Sequence, residues 1–429
     1  MTQSPLVVTA TAPTPNGPLH VGHLAGPFIA ADVAARAARS RGARVLTVSG
    51  LDPHQNYVRA KAASQGRTAD EVLDTYEALV RRALRAARIS YDVYIDPRAD
   101  RGYRDRVARL LGELAGTGAV VTEPATLTRC GDCGTTLHHA YVSGDCPRCG
   151  LQSSGGTCEA CGAFTTAENL GDPRCARCGG APEPFTERIP LLRLESCRAA
   201  LAEAWSAAVM PARVRSLAGH YLARGLPDVP LAYPTDWGVP AGDGGQRVDV
   251  WVEMGLGLLS ETARRLDPDA STLEGYLTAW RRAGRRWHFL GIDNAFYFAV
   301  LFPGLFTAAG LDPAGPGGLG GLVVNEFYLL DGLKFSTSRG HAVWAHEFLA
   351  DEDPALVRLY LCWDRPDRYE SVFTRDAYAE FRDWAKTRLR AGGTLPDGLA
   401  AAEARRAARA LELESFDPGL AARCLLGAG

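Results

Sequence analysis

The sequence predicts an α/β protein with a parallel, doubly wound sheet, a cysteine-rich insert and a short helical C-terminal segment. Three observations carry this prediction: an apolar strand–loop–helix–strand start, tandem CxxC pairs near the middle, and an alanine- and arginine-rich end. At roughly 150 residues per domain, a chain of 429 residues predicts two to three domains.

The composition is that of a globular protein. Hydrophobic residues make up 46% and charged residues 22% of the chain. The chain has 47 basic and 49 acidic side chains, for a net charge of −2. This balance excludes a strongly basic nucleic-acid-binding coat, although not a local basic groove. The chain lacks both an apolar run of about 18 residues and a basic region ahead of an apolar stretch at its start. We therefore expect a cytoplasmic protein with no membrane partner.

The first predicted element is a buried strand at residues 6–10 (LVVTA), followed by a Pro- and Gly-rich loop at 13–18. From His20 the apolar residues follow helical spacing, and 43–50 (ARVLTVSG) is the next predicted strand. This β–loop–α–β start favours a parallel sheet. The junction between the loop and the helix is an expected anion site, because backbone N–H groups point toward it.

The central part of the chain predicts two zinc sites. Eight of the eleven cysteines form four CxxC pairs between residues 130 and 178. One CxxC turn presents two thiolates to an ion, and two turns complete a tetrahedral structural site. A disulfide framework is rare in large cytosolic chains. The predicted ligands are Cys130, Cys133, Cys146, Cys149, Cys158, Cys161, Cys175 and Cys178.

Later segments carry weaker signals. The Gly/Pro-rich stretch 309–321 and the segment 391–398 (AGGTLPDG) predict loops. The Ala/Arg/Glu-rich stretch 399–415 is helix-prone, with few apolar anchors.

Several segments resemble the class I aminoacyl-tRNA synthetases, and most of all the methionyl-tRNA synthetase family. PNGPLHVGHL (15–24) resembles the HIGH signature, and LDGLKFSTSRGHAV (330–343) resembles the KMSKS loop. Between them, VLTVSGLDPHQNYVRAKA (45–62), the CxxC insert and HFLGIDNAFYFAVLFPGLF (288–306) follow the order of that family. The resemblance covers about residues 5–378.

This resemblance implies a class I synthetase Rossmann-type domain in two halves, 1–120 and 226–330, split by a connective insert at 121–225. A KMSKS-like loop and a segment that contacts the tRNA stem in relatives would occupy 331–378. Residues 379–429 would form a short helical remnant without a full anticodon-binding domain. The CxxC units of relatives are nested, which implies one zinc ion for the two inner pairs and another for the two outer pairs.

The resemblance also implies the reaction, in which an amino-acid carboxylate attacks the α-phosphate of ATP, bound with Mg²⁺, and pyrophosphate leaves. His20 and His23 would contact the phosphates, and Lys334 would bind the pyrophosphate. The second lysine of the motif is Thr337 here, with Arg339 as a partial substitute, so we expect slower activation or a different loop geometry. Further residues implied in ATP binding are Asn16, Gly22, Gly291 and Asp293, the last with a helix N-cap as its alternative role.

The implied amino-acid pocket departs from the methionine pattern. Asp52 matches the carboxylate that holds the α-ammonium group, and Trp251 matches a pocket wall, with core packing as its alternative role. One lost methylene contact already costs about 1–3 kcal/mol of discrimination, so methionine is not the expected substrate. Asn294 favours a polar side chain or none. The positions that differ are Ala12, Thr14, Leu258, Asn294 and Phe298.

Three functions follow as hypotheses. The first is a tRNA-independent activating enzyme that passes the acyl group to a small hydroxyl, hydroxylamine or amine, or to a carrier protein. Methionyl-type cores that form hydrazines with a cupin partner are of this kind, and the altered pocket, the short end and Thr337 favour it. The second is a compact or truncated methionine–tRNA ligase, with which the HVGH motif, the CxxC units and Asp52 agree. The third is a non-enzymatic RNA-binding or regulatory module, which the histidines and Lys334 disfavour.

Overall fold

The computed structural model describes residues 4–242, 244–335, 340–390 and 397–427. Thr337, Arg339 and most of the predicted loop at 391–398 lie outside these residues. None of the described helices is long and apolar enough to cross a membrane.

The first part of the chain alternates strands and helices, as predicted. The strand expected at 6–10 is confirmed, and the second strand starts at Val45. Thr68 and Glu71 form a reciprocal capping box at the start of the fourth helix. A π-helical turn, Leu24–Phe28, joins the first two helices. The elements are β1 (Leu6–Ala10), α1 (Val21–His23), α2 (Ile29–Ser40), β2 (Val45–Gly50), α3 (Asn56–Gln65), α4 (Ala69–Ala86), β3 (Val93–Ile95) and α5 (Tyr103–Ala115).

The insert is built on a long antiparallel ribbon that carries the cysteine turns. Its two long strands pair continuously from Val120 opposite Leu192 to Cys130 opposite Pro182. The elements are β4 (Val120–Cys130), β5 (Val142–Asp145), β6 (Gln152–Ser154), β7 (Gly156–Thr157), β8 (Phe164–Thr165), β9 (Gly171–Cys175), β10 (Pro182–Arg193), α6 (Arg198–Ala207), α7 (Ala212–Arg224) and β11 (Asp228–Pro230).

The next part of the chain completes the central sheet. The loop predicted at 309–321 ends sooner than expected, because Leu319 already pairs with Arg286 of the neighbouring strand. The elements are β12 (Ala232–Pro234), β13 (Gln246–Val248), α8 (Val250–Leu266), α9 (Leu273–Arg281), β14 (Arg286–Gly291), α10 (Phe302–Ala308) and β15 (Leu319–Asn325).

The C-terminal part is mainly helical. The helix expected at 399–415 ends at Ala410, and a 3₁₀ turn follows at Leu413–Ser415. The elements are β16 (Tyr328–Leu330), β17 (Leu333–Lys334), α11 (Ala345–Asp351), α12 (Pro354–Trp363), β18 (Ser371–Phe373), α13 (Arg375–Arg390), α14 (Asp397–Ala410) and α15 (Pro418–Leu425).

The central sheet is parallel and has the strand order β15-β14-β1-β2-β3. Successive β1 residues face opposite sides: Val7 packs with Val48 in one core cluster, whereas Val8 and Ala10 belong to the other. The chain leaves β1 toward β2 and returns on its other side as β14. The carboxyl ends of β1 and β14 therefore mark the switch point at which such sheets bind ligands.

Candidate active site

A cleft of about 390 Å³ opens at this switch point. Its walls come from the loop after β1, from the insert, and from the segments after β14 and β15. The structure thus brings together most of the predicted site residues, although they come from distant parts of the chain. Those that line the cleft are Ala12, Thr14, Asn16, His20, Gly22, His23, Asp52, Trp251, Gly291, Asp293, Asn294 and Lys334.

The two histidines of the first signature cap one another. The Nδ1 atom of His20 accepts the backbone N–H of His23 at 3.3 Å, and Nδ1 of His23 accepts the N–H of His20 at 3.1 Å. Burial lowers the pKa of His23 to about 4, and burial with the charges of His23 and Lys334 lowers the pKa of His20. Because Nδ1 accepts in both rings, each neutral imidazole carries its hydrogen on Nε2, which can donate to a phosphate oxygen.

The two signature segments touch at Gly22. A Cβ atom there would lie 3.0 Å from Nδ1 of His20 and 3.3 Å from the ring of Phe335. The Phe335 ring stacks on the His20 ring with 4.3 Å between centroids. An adenine ring on this side of Gly22 would therefore require Phe335 to move.

Lys334 bridges the second signature and the insert. Its ammonium group pairs with the Glu159 carboxylate and lies 4.5 Å from the centroid of the Phe327 ring. Both charged side chains line the cleft and are about half exposed, at 48% and 58%. Glu159 was not predicted, because an exposed residue inside a CxxC turn gives no sequence signal.

Asp293 follows β14 on a short 3₁₀ turn, Ile292–Asn294, whose N-cap residue is Gly291. Burial raises the pKa of Asp293 to about 6, with the charge of Glu159 adding to the shift and that of Lys334 opposing it. A Cβ atom on Gly291 would collide with Oδ1 of Asp293, so a larger residue there would displace this carboxylate. The Asn294 amide donates to Oδ1 of Asp293 at 3.0 Å, so it is directed at its neighbour.

Asp52 is a buried carboxylate, 3% exposed, at the wall of the cleft. Thr14 donates to its Oδ2 atom at 3.1 Å. Burial raises the pKa of Asp52 well above its usual range, and the nearby Glu253 carboxylate raises it further. Glu253 is itself held by His54 at 2.7 Å. A ligand ammonium group beside Asp52 would compensate its buried charge.

A smaller, largely carbon-lined chamber of about 40 Å³ adjoins the cleft, and Ala12 lines both. The two remaining predicted pocket residues, Leu258 and Phe298, line the chamber. Since about 10–15 Å³ of such space holds one water molecule, the chamber accommodates a few heavy atoms. Trp251 stays in the cleft wall and stacks on Tyr297 with 3.6 Å between centroids. The chamber suits an apolar group, unlike the polar contact expected from Asn294.

The eight paired cysteines form two groups, in each of which the Sγ atoms lie within 4.8 Å of one another. Adjacent Sγ atoms are 3.4–3.8 Å apart, close to the edge of about 3.8 Å in a tetrahedron with Zn–S bonds of about 2.3 Å. The donors therefore fit zinc, and four thiolates leave no open position. The groups have the nested pairing that the resemblance implied: Cys130, Cys133, Cys175 and Cys178, and Cys146, Cys149, Cys158 and Cys161.

A histidine–aspartate pair in the cleft wall was also missed. Nε2 of His139 lies 2.7 Å from Oδ2 of Asp249, and His139 lines the cleft. The two residues are 110 positions apart in the chain. The adjacent histidines 138 and 139 were a visible signal, but their partner could not be read from the sequence.

The parallel sheet, the cysteine-rich insert and two signature segments in contact define a protein of the class I synthetase type. Comparison with known families agrees: the family model described as tRNA synthetases class I (M) matches residues 6–382. The chain belongs to this family.

Individual relatives show how much of a complete protein the chain covers. The methionine–tRNA ligase of Porphyromonas gingivalis is 32% identical over 382 residues, which cover 86% of this chain and 54% of the relative. The methionine–tRNA ligase of Methanobrevibacter smithii is 29% identical over 381 residues, which cover 87% of this chain and 56% of the relative. The chain thus spans about half the length of these relatives. The structure of Mycobacterium tuberculosis methionyl-tRNA synthetase bound by methionyl-adenylate shares the fold, with a TM-score of 0.74, 18% identity and coverage of 99% of this chain and 82% of that one.

Proposed function

We propose that this chain activates an amino acid with ATP, forming an aminoacyl adenylate and pyrophosphate. The observation that carries the proposal is the convergence of both signature segments and a buried carboxylate on one cleft at the switch point of a parallel sheet. Membership of the class I synthetase family supports the same chemistry.

Five side chains of the cleft have a part in this reaction. A carboxylate oxygen of the amino acid bonds to the α-phosphorus of magnesium-bound ATP, and the bond to the β-phosphate oxygen breaks. The Nε2–H groups of His20 and His23 stabilise the charge that develops on the α-phosphate, and Lys334 binds the departing pyrophosphate. Asp293 accepts hydrogen bonds from the ribose hydroxyls. Asp52 binds the α-ammonium group.

The substrate we propose is an apolar α-amino acid, with methionine as the first candidate. The curated relatives are methionine–tRNA ligases, which supports methionine. The carbon-lined chamber beyond Ala12 supports an apolar side chain. Neither finding favours the polar or absent side chain that Asn294 suggested.

For the acceptor, the same relatives support the 3′ end of a tRNA. The small acceptor and the cupin partner expected from the sequence have no support from the comparisons. We therefore propose methionine–tRNA ligation as the overall activity.

Amino-acid-dependent exchange of pyrophosphate into ATP tests the activation step without tRNA. We expect exchange with methionine or another apolar amino acid, and its loss in Asp52→Asn. Charging of total tRNA with the amino acid that supports exchange then tests the acceptor. Exchange that fails with every apolar amino acid would refute the proposed substrate class.

A further inference from the structure

In the His139–Asp249 pair, a buried carboxylate holds a histidine ring in one orientation, as is common for a general base. Both side chains are nearly buried, at 7% and 6% exposure. Oδ2 of Asp249 contacts the imidazole, while Oδ1 accepts the N–H groups of Trp251 and Val252 at 2.9 and 3.3 Å and caps helix α8. The carboxylate is therefore fixed by the helix, and it fixes the ring in turn.

The backbone at His139 is held in a conformation that is rare for a residue with a side chain. Its φ is +47°, a left-handed value sparsely populated outside glycine. Asn56 clamps both flanks, donating to the carbonyl of His138 at 2.9 Å and accepting the N–H of Ala140 at 3.0 Å. The N–H of Gly155 donates to the His139 carbonyl at 3.0 Å. Strained, over-determined positions of this kind concentrate at functional sites.

The pairing leaves one ring nitrogen available. With the Nε2–H group donating to Asp249, the neutral imidazole has its lone pair on Nδ1. Nδ1 makes no hydrogen bond to any residue that the structure describes. A Cβ atom on Gly156 would lie 2.7 Å from Nδ1 and 2.6 Å from the Tyr297 hydroxyl, so glycine is needed beside this face of the ring.

Amino-acid activation needs no general base. The nucleophile in activation is the amino-acid carboxylate, which carries no proton at neutral pH. The second half-reaction is different, because an O–H or N–H nucleophile must lose a proton as it attacks the acyl group. A base in the same cleft therefore matches transfer rather than activation.

Resting on the proposed function, we infer that His139 is the general base for acyl transfer from the adenylate to an O–H or N–H nucleophile. The nucleophile bonds to the acyl carbon, its proton passes to Nδ1 of His139, and the bond between the acyl carbon and the phosphate oxygen breaks with release of AMP. Asp249 stabilises the imidazolium that forms, which then returns its proton to solvent. Titratable and charged groups around the pair are Asp52, His54, His138, Tyr233, Arg247 and Tyr297.

The test is single-turnover decay of an enzyme-bound aminoacyl adenylate, isolated after pyrophosphatase treatment and mixed with hydroxylamine in one arm and total tRNA in the other. His139→Asn suits the position because asparagine tolerates left-handed φ. Asp249→Asn keeps a good N-cap while removing the carboxylate charge. His138→Asn, next to the pair but outside the cleft lining, is the matched control.

We expect His139→Asn to slow transfer by roughly 10²–10⁴-fold in the arm whose acceptor the enzyme uses, and Asp249→Asn to slow it less. The ratio of wild-type to His139→Asn rates should rise with pH until the wild-type base is neutral, whereas the ratio for His138→Asn should stay flat. Pyrophosphate exchange should change by less than about twofold in all three variants, which separates this inference from the proposed activation. If exchange is intact and His139→Asn transfers the acyl group as fast as the wild type in both arms, the proposed role of His139 is wrong. Absence of any adenylate in the wild-type chain would instead refute the proposed function.

Discussion

Lys334, in the second signature segment, forms an ion pair with Glu159, which lies between two cysteines of the inner zinc group. The contact spans 175 positions of sequence. It makes the cysteine-rich insert part of the cleft wall, where the Glu159 carboxylate neutralises the ammonium group that we propose binds pyrophosphate. A phosphate group must compete with Glu159 for Lys334.

Removing this competitor should tighten nucleotide binding. An exposed ion pair is worth about 0.2–1 kcal/mol, so we expect Glu159→Gln to lower the KM for ATP in pyrophosphate exchange by about 1.4- to fivefold. Glu183→Gln, which removes an exposed carboxylate of the insert that does not line the cleft, is the control. A KM that is unchanged or higher in Glu159→Gln would argue against competition.

The two zinc groups should differ in their effect on activity. Cys158→Ser and Cys175→Ser should each lower the zinc content from two ions per chain to about one. We expect exchange to fall strongly only in Cys158→Ser, because its neighbour Thr157 lines the cleft and donates to the Asp293 carbonyl at 2.6 Å. Metal analysis and exchange assays on the same preparations check this, with Cys424→Ser as a control outside both groups. Equal activity losses in the two ligand variants would mean that zinc acts only on overall folding.

The affinity for ATP should depend on the ionisation of Asp293. Burial raises the pKa of Asp293 to about 6, so the carboxylate that we propose accepts hydrogen bonds from the ribose hydroxyls is protonated as the pH falls through this value. We expect the KM for ATP to be roughly tenfold higher at pH 5 than at pH 7. Asp293→Asn should have a high KM at both pH values. A pH-independent KM in the wild-type chain would separate Asp293 from nucleotide binding.

The same shift has a consequence for stability. The folded chain holds the Asp293 proton more tightly than the unfolded chain does, so this group contributes less to the free energy of unfolding as the pH rises from about 4 to about 6. Comparing the urea midpoints of the wild type and Asp293→Asn across this range checks the sign. A midpoint difference that shifts in favour of the wild type with rising pH would contradict it.

Filling the chamber beyond Ala12 should change which amino acids are activated. Ala12→Leu places three more carbon atoms at the entrance to a space of about 40 Å³. At about 1–3 kcal/mol for each methylene contact, we expect exchange with the preferred apolar amino acid to fall at least tenfold in kcat/KM, and exchange with alanine or glycine to change little. The control is Leu259→Ile, a conservative change at a buried position of helix α8, which also carries the chamber residue Leu258. An unchanged preference in Ala12→Leu would show that the side chain binds elsewhere.

Much of the fold was predictable because its signals are local. The strand at 6–10, the helical turn that begins at His20 and the cysteine turns each depend on residues a few positions apart. The nested cysteine groups followed from the resemblance, since spacing does not determine which turns meet. The limits of later elements were less predictable: Leu319 joins a strand because a neighbouring strand offers it a partner.

The site was predictable where it lies on signature segments and was missed where it depends on contacts across the fold. His20 and His23 are three residues apart and meet in one turn. Glu159 and His139 depend on partners more than a hundred positions away. The polar substrate contact expected from Asn294 stays a prediction, and in the structure the Asn294 amide donates to Asp293. Leu258 and Phe298 remain predicted pocket residues, and only the structure shows that they line a carbon-lined chamber.

The most direct test of the account is detection of the aminoacyl adenylate itself. Purified chain, magnesium-bound ATP, pyrophosphatase and each of the standard amino acids would be incubated without tRNA, and the enzyme-bound product would be identified by mass spectrometry. We expect one adenylate, of methionine or another apolar amino acid, which disappears in a His20→Ala, His23→Ala double variant. An adenylate that forms equally well in the double variant, or none with any amino acid in the wild-type chain, would contradict it.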